Sequence, residues 1–338
     1  MQKSRYYLLL VLMSAVLALT SFVSLHLGTV SVPFSATISG FQPDAQGGFS
    51  GQELETFKTV VMQIRLPRLL AAILCGAALA VSGVTYQSMF LNPLVSPDLL
   101  GVLAGSAFGA SLGLLFGKSL LTAHLFAFIA GIAAVGFAVF LARLFPGNRL
   151  IMLIMGGVIS SSLFTSLLSV VKFVADPHNE LPAIVHWLMG GFSSVTMPAV
   201  SAAAPFLIIG IAMLNAMSSY LNILSMGEEE AATLGIKVST VRNLMIAVTT
   251  MICSITVALG GMVGWVGLMI PHITRMITGP DNRQVLPAAT LIGALYLLVT
   301  DIFCRAAFSI ELPIGIMTSL MGVPFFIFVL SRTSGRWN

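Results

Sequence analysis

Apolar residues fill this chain in runs long enough to cross a lipid bilayer, and polar residues collect in the short breaks between them. The runs cover about Tyr6 to Leu27, Arg65 to Val84, Leu99 to Gly117, Leu121 to Phe145, Leu150 to Val174, Val200 to Leu221, Asn243 to Leu259, Leu286 to Phe303 and Ile314 to Leu330. A further segment, Gly264 to Arg275, is short and interrupted by Pro271. A crossing helix needs about 20 residues, so the pattern predicts an all-α polytopic membrane protein with about ten transmembrane helices. With 338 residues there is room for roughly eight to eleven crossings and for no large soluble domain, so 1–338 is read as a single transmembrane domain.

Finer patterning lies inside the runs. Gly76, Ala77, Ala80, Ser82 and Gly83 give the second span small surfaces for close packing, and Gln87, Asn92, Pro93, Leu94 and Pro97 are expected to break it. Gly101, Gly105, Gly109, Gly113 and Gly117 recur every fourth residue, on nearly one helix face. The fifth span carries Ser162, Thr165, Ser166 and Ser169 on one face. Those hydroxyls either bond back to their own helix carbonyls or line a polar pore. From Thr29 to Val61 the chain is polar and glycine-rich, with Asp44, Glu53 and Glu55, and reads as an external loop that has room for a short helix.

Composition sharpens the class. Apolar residues are 57% of the chain and charged ones 8%, against about 25% charged in a soluble domain. The N-terminal run is longer than the apolar core of a signal peptide, so it reads as the first span, with Lys3 and Arg5 holding the N-terminus inside. If both termini are inside, the sixteen Lys and Arg divide unevenly. Lys3, Arg5, Arg143, Arg149, Lys237, Arg242, Arg275, Arg283, Arg332 and Arg336 are inner, and Lys58, Arg65, Arg68, Lys118, Lys172 and Arg305 are outer. That is the expected cytoplasmic bias. Cys75, Cys253 and Cys304 fall in apolar runs without a paired motif and read as core residues. Gly113 to Ser119 imitates a nucleotide-binding loop, but only three residues separate its glycines where four are required. His178, Glu180 and His186 match no common metal spacing. No metal site, no cofactor and no nucleic-acid partner is therefore expected for this chain.

One polar stretch stands apart. Ser225 to Arg242 holds Glu228, Glu229 and Glu230 in a chain with only twelve carboxylates, followed by Ala231, Ala232, Thr233, Leu234 and Gly235. The acids suit the first turn of a short helix and the glycine its end. Two turns cannot be stable alone in water, so this helix must dock on a partner.

Taken in order, the landmarks resemble the permease subunits of the iron-siderophore, haem and vitamin B12 branch of ATP-binding-cassette importers. They are Arg65-Leu66-Pro67-Arg68, Gly76-Ala77, Ser82-Gly83, Gln87, Asn92-Pro93-Leu94, Pro97, Leu100-Gly101, Trp187 and Gly190-Gly191-Phe192. Gly227-Glu228, Leu234-Gly235, Gly264, Gly267-Leu268, Pro271-His272, Arg275, Glu311 to Gly315, Thr318, Gly322 and Pro324 complete them. Within that family the chain is most similar to the molybdate and tungstate branch. The resemblance implies a type II importer permease fold of ten spans and a second copy of the chain lining a central pathway. It further implies two cytoplasmic ATPase subunits that bind ATP and Mg, a periplasmic substrate-binding protein, and a place in the bacterial inner membrane. It makes Gly227 to Gly235 the coupling helix. It makes Arg65, Arg68 and Arg305 an outer basic surface for the binding protein, and it puts Gly147, Asn148 and the fifth span at the pathway and its inner gate.

Two other classes give different expectations. An ion-coupled carrier would use buried ionisable groups, for which Asp98 and Asp301 are the candidates, both near span ends; Arg305, four residues after Asp301, reads as its neutralising partner. An intramembrane enzyme would need paired catalytic groups, and no Ser-His, HExxH or two-Asp arrangement occurs in the spans. Large chelates and small oxyanions can share every motif above, so cargo is not set by them.

Overall fold

Helix α4 (Leu66–Met89) is the axis of the bundle, because its many small residues let neighbouring backbones come close. The computed structural model describes residues 3–28, 30, 32–38, 50–117, 119–307 and 310–333; Asp44, Lys118 and Arg336 lie outside them. Before α4 come α1 (Lys3–His26), α2 (Phe34–Ile38) and α3 (Gly51–Thr59). Ser50 and Glu53 form a capping box at the start of α3, which continues through a π-helical segment, Val60–Arg65, directly into α4. The expected outer loop is thus partly helical, and its second helix is an extension of the second span.

After α4 a 3₁₀ turn, Pro97–Leu100, leads to α5 (Val102–Gly117), α6 (Leu120–Leu144), α7 (Arg149–Val174) and the short α8 (Glu180–Leu188). The chain continues with α9 (Met197–Ala216), α10 (Ser218–Leu224), α11 (Glu228–Thr233), α12 (Val238–Gly260), α13 (Val266–Thr278), α14 (Asn282–Ala306) and α15 (Ile314–Thr333). Among the described residues there is no strand. Among those residues seven helical segments are long and apolar enough to cross a membrane, and α5 and α15 are shorter apolar helices. The tenth expected segment is α13, at 13 residues.

Three boundaries differ from expectation for identifiable reasons. Helix α4 runs on through Gln87, because side chains of α13 and α14 satisfy its polar end; the chain turns instead at Leu91, with φ 52°. The sixth span is divided into α9 and α10 at Met217. The glycine ladder starts one residue before its helix, since Gly101 takes a left-handed φ of 84° to close the 3₁₀ turn. The ladder's other members face α6, where a Cβ at Gly109 would lie 2.1 Å from the Phe126 carbonyl oxygen.

A close crossing joins α4 to α13: a Cβ at Gly83 would lie 1.9 Å from the Gly267 carbonyl oxygen. Gly83→Ala is therefore expected to destabilise the fold by about 1–3 kcal/mol through forced separation of two backbones. Gly136→Ala, where a Cβ meets nothing within 4 Å, serves as the matched control. Thermal unfolding of the two purified variants checks this, and equal midpoints would refute it.

Candidate functional site

The acidic stretch folds as expected at its ends. Gly227, with φ 121°, precedes α11, and Gly235 follows it in the left-handed region with φ 78°. Gly235 N–H donates to the Ala232 carbonyl at 2.9 Å and Ile236 N–H to the Ala231 carbonyl at 3.2 Å. That pair of bonds is a Schellman ending, and it explains the glycine. Glu229, Glu230, Ala232 and Leu234 are exposed, Leu234 at 61%. Ala231 does not face a partner: it is 0% exposed and joins the chain's own core. Successive helical residues are turned about 100° from each other, so α11 has room for one of the two alanines outside.

Helix α10 is tied to the rest of the bundle by a run of polar bonds. Asn222 donates through Nδ2 to Asp281 at 2.6 Å and accepts the Asn282 N–H at 2.8 Å. Asn282 Oδ1 accepts from Ser88 at 2.9 Å, Ser88 Oγ accepts from Arg275 at 3.3 Å, and Arg275 also donates to Gln87. The segment that presents α11 is therefore linked through α14 and α13 to the end of α4. Gln87 and Arg275 stood out in the sequence only as landmarks. Their pairing across 188 positions has no local signal.

At the opposite end of α4 and α14 sits an ion network. Arg68 Nε lies 2.7 Å from Asp301 Oδ1, and Arg68 Nη2 lies 2.7 Å from Glu311 Oε1. Arg305 Nε is 3.5 Å from Asp301 Oδ2. Arg305 donates to the carbonyls of Ser24 at 2.6 Å and Leu27 at 2.9 Å, while Arg65 donates to those of Leu25, at 2.7 Å, and Val30. The two arginines thereby close the carbonyl end of α1, the favoured place for cations on a helix. The expected outer basic surface is corrected accordingly. Arg65 and Arg68 are only 5% and 6% exposed, because burial of Asp301 and the free carbonyls of α1 draw the guanidiniums inward. Asp301 has Arg68 as its nearer partner, not Arg305 alone.

On α7, Ser162, Thr165, Ser166 and Ser169 are all exposed. Two of them bond back along the helix: Ser166 Oγ to the Ser162 carbonyl at 2.9 Å and Ser169 Oγ to the Thr165 carbonyl at 3.0 Å. At the helix entrance Gly147 has φ 149° and Asn148 is the N-cap, accepting from the Leu150 and Ile151 N–H groups. Asp98 lines a cavity of about 230 Å³ together with Ser96, Cys253 and Trp265. Trp265 stands just before α13 with a left-handed φ of 68° and packs on Gly322. Among the described residues, no group of three His, Cys, Asp or Glu side chains is placed to hold a metal ion.

The chain matches the FecCD transport family over residues 16–332. It is 37% identical, over 343 aligned positions covering all of both chains, to the Haemophilus influenzae molybdate import system permease protein MolB. It is 32% identical to the Escherichia coli Fe(3+) dicitrate transport system permease protein FecD, covering 96% of this chain and 98% of that one. Among solved structures it resembles a metal-chelate type ABC transporter in an inward-facing conformation. That match has a TM-score of 0.84 and 36% identity, covering 96% of this chain and 98% of that one. The relatives are transport components and not enzymes. The chain belongs to the FecCD transport family and is a membrane-embedded permease subunit of an ATP-binding-cassette importer, with the type II importer fold.

Proposed function

We propose that two copies of this chain form the pathway by which an importer of the bacterial inner membrane carries molybdate or tungstate. The full-length similarity to a permease named for molybdate import supports this cargo. The competing cargoes are an iron chelate, favoured by the nearly full-length similarity to the ferric dicitrate permease, and the haem or cobalamin of the wider family. A cytoplasmic ATPase pair binds ATP and Mg, this chain holds no cofactor of its own, and a periplasmic binding protein delivers the cargo. Both termini face the cytoplasm. The exposed, acid-tipped α11 supports docking of Gly227 to Gly235 in a groove of the ATPase. Closure of the ATPase pair then moves α11 and α10 as one lever, and the Asn222, Asn282, Ser88 and Arg275 bonds carry the movement towards α4 and α13. Reconstitution with the ATPase and binding protein tests the cargo. ATP-driven uptake of molybdate, unaffected by excess ferric citrate or cobalamin, is expected; uptake of either competitor without molybdate uptake would overturn it.

The open hydroxyl face of α7, with Gly147 and Asn148 at its entrance, supports a place for that helix along the pathway. Cysteines at Ser162, Thr165 or Ser169, in a chain cleared of its three buried cysteines, should react with a water-soluble thiol reagent in at least one nucleotide state. Lack of reaction at all three positions in every state would assign these hydroxyls to helix packing. For docking of the binding protein, the exposed part of the outer ion network is Glu311, its side chain 39% accessible. Arg68 would act there by holding that acid in place.

A further inference from the structure

A cleft of about 280 Å³ opens between α6 and α12, and among the described residues its lining comes from those two helices alone. Its α6 wall is Ile132, Gly136 and Val139, and its α12 wall includes Ile246 and Met251. A Cβ at Gly136 would meet nothing within 4 Å, so the floor of the cleft is open. Arg143, in the last turn of α6, closes one end and is exposed. Asn243 lines the same end and accepts a 2.9 Å hydrogen bond from Arg149 Nη2, which brings a second guanidinium to the mouth. No carboxylate lines the cleft among the described residues.

Its dimensions fit one class of occupant. From position 132 to position 143 an α-helix rises about 16 Å, which is about half of a hydrocarbon core roughly 30 Å thick. The apolar part therefore runs the depth of one leaflet and ends in two cations where α6 stops and α12 starts. Arg149 uses a single N–H on Asn243 in this arrangement, out of the five that a guanidinium carries. The shape suits a hydrocarbon chain and the mouth suits a phosphate.

We propose that the α6–α12 cleft is a binding site for an anionic phospholipid, with one acyl chain against Gly136 and the phosphate held by Arg143 and Arg149. A lipid seated there would brace α12, the helix that follows the acidic stretch, against α6. Basic side chains at a membrane surface each favour anionic lipid about fivefold, so loss of both should weaken binding roughly twentyfold to thirtyfold.

The test uses the permease with its ATPase in bilayer discs of phosphatidylcholine with a minority of phosphatidylglycerol, including a trace of phosphatidylglycerol with a photoreactive acyl chain. Labelling is expected to concentrate on peptides covering 132–143 and 243–251, and unlabelled phosphatidylglycerol should compete while phosphatidylcholine should not. Arg143→Gln combined with Arg149→Gln should remove that preference, Arg143→Lys should keep it, and Gly136→Leu should block labelling with both guanidiniums intact. Equal labelling by a photoreactive phosphatidylcholine would overturn the proposal. So would no labelling of the unaltered complex, the result expected if a second copy or the ATPase covers the cleft. The competition arm needs no variant, so misfolding of a mutant cannot hide the answer.

Discussion

Arg68→Met is expected to lower the stability of this permease by about 3–5 kcal/mol, the usual result of removing one partner from a buried ion pair. Arg68 holds Asp301 at 2.7 Å and Glu311 at 2.7 Å in a site where its own side chain is 7% exposed and that of Asp301 1%. Without it, Asp301 keeps only Arg305, at 3.5 Å, and that guanidinium is already committed to carbonyls at the end of α1. The cost comes from the stranded carboxylate, so pairing Arg68→Met with Asp301→Leu should recover most of it. Thermal unfolding in detergent and yield in the membrane fraction read both changes. A double variant no better than the single would show that the loss is one of packing. Arg65→Glu should likewise act first on folding, because it places a carboxylate against the carbonyls of Leu25 and Val30.

Ala232→Arg should abolish ATP-driven uptake and co-purification of the ATPase while leaving the unfolding midpoint of the permease unchanged. Ala232 is exposed on α11 and is not among the described core residues, so a bulky cation there would meet the proposed docking partner. Forcing it into a packed interface costs about 1–3 kcal/mol in overpacking alone, and desolvation of the charge adds to that. Ala231→Arg gives the contrast. At 0% exposure within the core, it should damage folding whether or not a partner is present. Normal uptake by the Ala232→Arg protein would remove α11 from the coupling path, and with it the proposed lever.

How much was legible beforehand depends on the range of the interaction responsible. Each long apolar run became helical, the sixth as two pieces, α9 and α10, with ends shifted where side chains from far along the chain decide. Helix α4 passes Gln87 because Arg275 meets it there. Helix α11 was placed by its acids and its glycine, both local signals, and the Schellman bonds at Gly235 involve residues within five positions. The direction of Ala231 was not legible, since it depends on how α11 rests on its neighbours.

Hydropathy and the order of landmarks determined that the chain is a polytopic helical permease, because a bilayer imposes one rule on every span: its backbone polar groups must be satisfied within it. Charge by itself did not show how Arg65, Arg68 and Arg305 are paired. A sequence counts charges without showing which carboxylate or free helix carbonyl lies opposite, and Asp301 reaches Arg68 across 233 positions. Only the tertiary structure brought those groups together, because leaving any of them unpaired away from water costs more than turning a long side chain inward.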